Sequence, residues 1–186
     1  LTNFITDDAR HYVKTSKKKY ELVIFDMIKG ETQPSYLYTL ESFKEVRKLL
    51  NENGIFIINF QENISLTNGL AHRSLYKTLT KAGFYSYVLL LSDNDIIFIS
   101  SLHPIDFNNL DMNRLALWSL AKIQEDIHPT KNLFSYSEKN IRNDYIFVDN
   151  KPLLEELNIK TAIEWRKMMN KDITDKMLEE DLKLFY

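Results

Sequence analysis

Three acids and one amide stand at the ends of apolar runs: Asp26 closes ELVIFD, Asp7 and Asp8 follow LTNFI, and Asn59 lies near the end of GIFIINF. If each run is a strand of one open α/β sheet, the carboxyl ends share an edge, and such sheets bind ligands beyond that edge. Carboxylates placed there can take up a proton or hold a positive charge. An Asp after a strand also serves as a turn former or helix cap, and for Asp26 and Asp7 that reading stands beside the first. Other chemistry is narrowed by what the chain lacks. It has no cysteine, so thiol nucleophiles, thiolate metal sites and disulfides are excluded. It has no G-x-S-x-G, H-E-x-x-H or P-loop pattern, and its four glycines cannot build a Gly-rich phosphate cradle. His11, His72, His103 and His128 have no partners at metal-ligand spacing, so surface or structural roles are expected and no metal site.

Elements must position these groups. From Leu1 to about Leu102, short β-rich runs alternate with helical stretches, the pattern of an α/β domain with a largely parallel sheet. LTNFI reads as the first strand, and Asp8 to about Lys17 as a short helix with Tyr12 and Val13 inward and Lys17 to Lys19 toward water. ELVIFDM lacks polar alternation and so suits a strand buried on both faces. Thr39 can cap a helix in which Leu40, Phe43, Val46, Leu49 and Leu50 recur at spacings of three and four, with Asn53-Gly54 ending it. GIFIINF is the third strand, and Leu70 to Ala82 the next helix, closed by Gly83. FYSYVLLL and DIIFISSL are separated only by Ser92-Asp93-Asn94 and form an antiparallel hairpin.

After His103-Pro104 the composition turns helical. Leu115, Trp118, Leu120, Ala121 and Ile123 suggest one helix, and Thr161-Ala162-Ile163-Glu164 has the form of a capping box ahead of Trp165 and Met168-Met169. Thr174 to Tyr186 reads as a last amphipathic helix, and Trp118 and Trp165 are expected in the core. The division that follows is a sheet domain over residues 1–103 and a mostly helical extension over 104–186 packed on it.

With 186 residues, 44% of them hydrophobic, the chain can bury a core without disulfide support. A formal charge of -2 gives no general attraction to nucleic acid or anionic membrane, and no apolar stretch approaches a membrane span. LTNFITDDAR carries no signal-peptide pattern, and the lack of cysteine fits a reducing compartment, so a cytoplasmic location is expected.

The order DDARHYV, YELVIFDM and PSYLYTLESFKEVRKLLNENGIFIINF resembles the spermidine synthase-like group of class I S-adenosylmethionine-dependent transferases. Pro34, Leu37, Thr39 and Phe43 fit that group's Pro-x-x-Leu-x-Thr-x-x-Phe helix entry, and FVDNKPLLEEL is similar to its later Asp-Asp-x-x-Pro-x-Glu-x-Leu segment, with Asn150 in place of the second Asp and Pro152 one place early. The resemblance implies a Rossmann-like α/β fold, mostly parallel with a terminal antiparallel hairpin. It implies that Asp8 and Ala9 meet the adenine of S-adenosylmethionine or its decarboxylated form. It implies that Asp26 holds and deprotonates an attacking amine, with Asn59 and Tyr36 as substrate contacts.

Three departures accompany it. Lys29 stands where the group has a second acid, Asn59 where it has Gln, and the turn Ser92 to Asn94 where it has a long loop. The group's amino-terminal strands and Gly-rich turn have no counterpart here, so the chain resembles the carboxyl-terminal part of a transferase, inactive alone. A homodimer or the missing amino-terminal half is the expected partner, and a sheet order of first, second, third, fifth, fourth strand the expected topology. A methyltransferase, a non-catalytic regulatory domain of the same ancestry and a generic Rossmann-like binding domain stay open as alternatives.

Overall fold

The computed structural model describes residues 4–27, 33–91, 95–107 and 133–183, with side chains as far as Lys171 in the last segment. In chain order the elements are α1 (Ala9–Thr15), β1 (Tyr20–Phe25), α2 (Leu40–Leu49), β2 (Leu50–Gln61), α3 (Ile64–Thr67), α4 (Leu70–Lys81), β3 (Tyr85–Leu90), β4 (Asp95–Ser101), β5 (Leu133–Phe134), α5 (Glu138–Ile141) and α6 (Leu154–Lys183). A short 3-10 turn, Ser35–Leu37, leads into α2.

The strands form one five-stranded sheet in the order β1-β2-β4-β3-β5. β1 and β2 run parallel, whereas β2 with β4, β3 with β4, and β3 with β5 are antiparallel. The expected order of the second, third, fifth and fourth runs is therefore present, and its parallel character is confined to the β1 and β2 pair. The first run is different. Phe4 and Ile5 lie outside any strand and are 92% and 57% exposed, and residues 1–3 lie outside the described residues. Among the described residues β1 is thus an edge strand of the sheet. Leu22 and Ile24, expected to be buried on both faces, are 50% and 54% exposed, because among the described residues only one side of β1 has a neighbouring strand and only one of its faces is covered.

One face of the sheet carries the core. In β2 the alternation puts Phe56, Ile58 and Phe60 inward, and the register sets Ile58 beside Phe98 and Phe60 beside Ile96 of β4. Phe43 and Val46 of α2 and Leu75 and Leu79 of α4 are fully buried against this face. Phe56 meets Phe25 edge-on at a centroid distance of 4.9 Å and Phe43 at 5.8 Å.

Two local expectations are corrected. Asn53-Gly54 does not end α2, because β2 starts directly at Leu50, and between Tyr20 and Leu22 the register jumps from Leu50 to Ile55. Gly54 sits in this bulge with the Tyr20 carbonyl 2.9 Å from where a Cβ would stand, so glycine there serves a close backbone approach. The capping box at Thr161 lies inside α6, which already begins at Leu154. The Thr161 Oγ1 instead accepts from the Asn63 backbone N–H at 2.9 Å, tying α6 to the start of α3. Trp165 is half-buried rather than core. The helix over Leu115 to Ile123, Trp118, His128, the turn at Ser92 to Asn94, Lys29, and the side chains of the tail from Thr174 lie outside the described residues.

Candidate functional site

The parallel register of β1 and β2 builds the first part of the site. Phe25 pairs with Ile58, so the residue after β1, Asp26, falls beside Asn59. Asn59 Nδ2 donates to Asp26 Oδ1 at 2.9 Å. Asp26 is exposed, and its Oδ2 has no hydrogen-bond partner among the described residues. One oxygen is held and the other is open, an arrangement suited to gripping a cation or receiving a proton.

Tyr38 lies beneath this pair. Its ring packs edge-on to Phe25 and Phe60, it is fully buried, and its hydroxyl has no partner among the described residues. Burial pushes the phenol pKa far up, and the Asp26 charge adds to the shift. The neutral hydroxyl gives nothing back for its desolvation. Tyr38→Phe is therefore expected to stabilise the fold by about 1 kcal/mol, read as a higher urea midpoint.

A second grouping forms at α1. Asp8 is its N-cap, with Oδ1 accepting from His11 N–H at 3.0 Å and Oδ2 from the Tyr36 hydroxyl at 3.3 Å. Burial raises the Tyr36 pKa, and the neighbouring Asp8 charge adds to it. Asp7 is engaged with the His11 Nδ1 at 2.9 Å, and that hydrogen bond is the main cause holding its carboxyl below the usual value. Ala9 and Asp7 line an apolar cleft of about 410 Å3 between α1 and β1, walled by Val13, Phe25 and Met27. Asp8 and Tyr36 are not part of that lining. The structure thus pairs Asp26 with Asn59 and Asp8 with Tyr36, and no hydrogen bond joins the two pairs among the described residues.

The quoted sequence stretches converge behind these pairs. Asp149 accepts from Arg10 Nη2 at 2.9 Å and from Thr39 Oγ1 at 2.5 Å, while its own N–H donates to Glu41. Glu155 Oε1 accepts from the N–H and hydroxyl of Ser35 at 3.4 and 3.3 Å. Segments far apart in the chain are therefore locked together at the entry of α2.

Two further sets were not singled out from the sequence. Glu62, fully buried, accepts from the N–H groups of Ala71 and His72 and from the His72 Nδ1 at 2.6 Å, and His72 Nε2 lies 2.6 Å from the Tyr136 hydroxyl. Gln33 and Asn158, both buried, each donate to the Gln61 carbonyl. An acid shortly before a helix that lacks a side-chain cap is the one available sequence signal for Glu62. No pattern marks the amides, because their common partner is a backbone atom.

The residues fit a nucleoside in part. The cleft beside Ala9 offers apolar walls for a flat base, and Asp7 and Asp8 offer acceptors near it. Glycines 54, 69 and 83 are scattered, so among the described residues no Gly-rich turn stands ready for the rest of such a ligand. Among the described residues no group of three or more His, Asp or Glu side chains could hold a metal ion, and no helix is long and apolar enough to cross a membrane.

Comparison with known proteins gives consistent matches. Residues 2–92 match the spermine/spermidine synthase domain family. The chain is 34% identical over 135 residues to polyamine aminopropyltransferase 2 of Aquifex aeolicus, covering 64% of this chain and 27% of that protein. It is 26% identical over 162 residues to the polyamine aminopropyltransferase of Buchnera aphidicola, covering 84% of this chain and 52% of that one. It therefore spans from about a quarter to about half the length of these relatives. A crystal structure of a probable spermidine synthase from Corynebacterium glutamicum superposes with a TM-score of 0.52 at 16% identity, covering 77% of this chain and 52% of that one, which shows a shared Rossmann-like fold.

Proposed function

We propose, from the match of residues 2–92 to the spermine/spermidine synthase domain family, that this site serves aminopropyl transfer to an amine. The observation that carries the reading is the Asp26 carboxylate, held through Oδ1 by Asn59 and without a hydrogen-bond partner at Oδ2 among the described residues, at the carboxyl end of the parallel pair. An amine is protonated near neutral pH and has no lone pair to attack with, so it must first lose a proton. Asp26 Oδ2 receives that proton and holds the cation until it leaves. Asn59 keeps the carboxylate from turning away. A decarboxylated S-adenosylmethionine, when bound, supplies a carbon activated by its positive sulfur. The nitrogen forms the new bond to that carbon as the carbon–sulfur bond breaks, its electron pair staying on sulfur. Ala9 and its cleft neighbours would hold the adenosine end.

Calorimetric titration of the chain with decarboxylated S-adenosylmethionine, S-adenosylmethionine and methylthioadenosine tests the reading. Saturable binding of the first and third is expected, and binding of none of them would remove it. Where binding is seen, incubation with amines separates the chemistries: methylthioadenosine as product supports aminopropyl transfer, and adenosylhomocysteine would replace it with methyl transfer.

A further inference from the structure

The formal charge of -2 averages over two sheet edges of opposite sign. Leu22 pairs with Ile55, Ile55 with Ser101 and Ser101 with Tyr85, so the amino ends of β1, β2 and β3 share one edge. Asp26 and Glu62 follow the opposite ends of β1 and β2. On the amino edge stand Lys17 to Lys19 ahead of β1, Arg47 and Lys48 ahead of β2, and Lys81 ahead of β3. Close approaches join them into one stripe. Lys19 Nζ donates to the Lys48 carbonyl at 2.7 Å, and Arg47 Nε lies 3.3 Å from where a Cβ on Gly83 would stand.

Helix geometry explains part of this charge. A cation in the last turn of a helix is favoured by the macrodipole, and Arg47, Lys48 and Lys81 occupy such turns. Lys17 and Lys18 lie beyond the Ser16 C-cap of α1, outside its last turn. Lys17, Lys18, Arg47, Lys48 and Lys81 are all exposed, and none forms a salt bridge among the described residues. With Glu21 and Glu52 as the acids near this edge, the balance is basic. Exposed like charges in a row repel one another, so the stripe fits an anionic partner.

The surroundings narrow the kind of anion. The stripe runs into a cleft of about 520 Å3 between α4 and α5, where Lys81, Arg142 and Glu138 stand around Ile141 and Ile146. Lys77, on the same wall, is committed to the Arg142 and Asp144 carbonyls. Tyr85, shortly after Lys81, and Tyr145, shortly after Arg142, are 51% and 45% exposed. A row of cations suits phosphodiesters, exposed rings suit stacked bases, and the cleft offers an apolar floor to one base. A bilayer is flat and cannot enter the cleft, and a run of carboxylates brings no ring for the tyrosines.

We propose that the amino edge of the sheet, from Lys17 through Arg47 to Lys81 and the cleft at Arg142, binds single-stranded nucleic acid through its phosphates and stacked bases. Charge and stacking do the recognition, so no base sequence is selected. The surface lies at the opposite edge from Asp26 and does not rest on the transfer reading.

The test is fluorescence anisotropy of a labelled oligouridylate of about twelve nucleotides, titrated with the whole chain. Saturable binding at micromolar concentration is expected in low salt, with log K falling by about 3 per decade of salt as about four phosphates are neutralised. Lys18→Glu and, separately, Lys81→Glu are expected to weaken binding by about tenfold or more and to make that slope shallower. Lys160→Glu on α6 is expected to change neither, and Tyr85→Ser to weaken binding with the slope kept. No saturable binding to the unaltered chain, or the same affinity and slope in both charge variants, overturns the proposal. Binding of oligoglutamate or of phosphatidylserine vesicles as tight as that of the oligonucleotide would remove nucleic acid as the partner.

Discussion

Glu62→Gln is expected to lower folding stability by about 3 kcal/mol, although it touches neither Asp26 nor the α1 cleft. α4 begins after Gly69, at φ +68° and without a side-chain cap, so its first N–H groups depend on a carboxylate arriving from the end of β2. Glu62 accepts from Ala71 N–H at 2.9 Å, His72 N–H at 2.7 Å, the His72 ring and the Thr67 hydroxyl. Every one of those partners is a donor to it. An amide at that position turns an NH2 toward another donor and removes the charge favoured at a helix N-terminus.

The same carboxylate sets a pH dependence. Burial pushes its pKa up, but the His72 hydrogen bond and charge, with Thr67 and the His72 N–H, outweigh burial and leave it below the usual value. A folded pKa lower than the unfolded one contributes stability that is present above the unfolded value, about 4.3, and is lost as pH falls through the folded value. Urea midpoints measured from pH 7 down to pH 3 are expected to fall below about pH 4.5 in the unaltered chain. Glu62→Gln should lose most of that slope. An unchanged slope would assign the acid sensitivity to other carboxylates.

Asp26→Asn is the second large effect, a loss of about a hundred- to ten-thousandfold in amine-dependent release of methylthioadenosine. The shape is preserved and the Asn59 hydrogen bond can be kept, so the loss reports the charge and basicity of Oδ2 together. The pH profile tells proton acceptance from simple holding of a cation. If Asp26 takes the proton, the variant recovers as pH rises toward the amine's own pKa of about 10, where free amine no longer needs a base. If Asp26 only holds charge, high pH gives no recovery. Full turnover in the variant would remove Asp26 from the chemistry.

Local signals were readable. The spacing of Phe43, Val46 and Leu49, the Thr39 cap, the Gly83 stop and the β3 and β4 hairpin all appear as expected, because each depends on residues close in sequence. Asp26 and Asn59 could be placed together since strand ends in a parallel pair share an edge. The misplaced features depend on distant partners. Asn53-Gly54 looks like a helix stop, but the Tyr20 carbonyl decides its role. Thr161 and Glu164 look like a helix start, yet α6 has already begun and Thr161 serves Asn63. Asp8 is both an N-cap and a partner of Tyr36, so the structural and functional readings of a strand-end acid coexist in one side chain.

The long-range hydrogen bonds at the entry of α2 and at the end of β2 also order events in time. Arg10 and Asp149 are 139 residues apart, Ser35 and Glu155 120, and Gln61 and Asn158 97. A chain made at roughly 5–20 residues per second completes the β1 and β2 pair and the hairpin well before Asp149 and Asn158 leave the ribosome. The sheet can assemble early from nearer contacts. The locks that tie Arg10, Ser35 and Gln61 must wait until Asp149 to Asn158 have been made, so a chain cut short before Asp149 would hold a sheet without them.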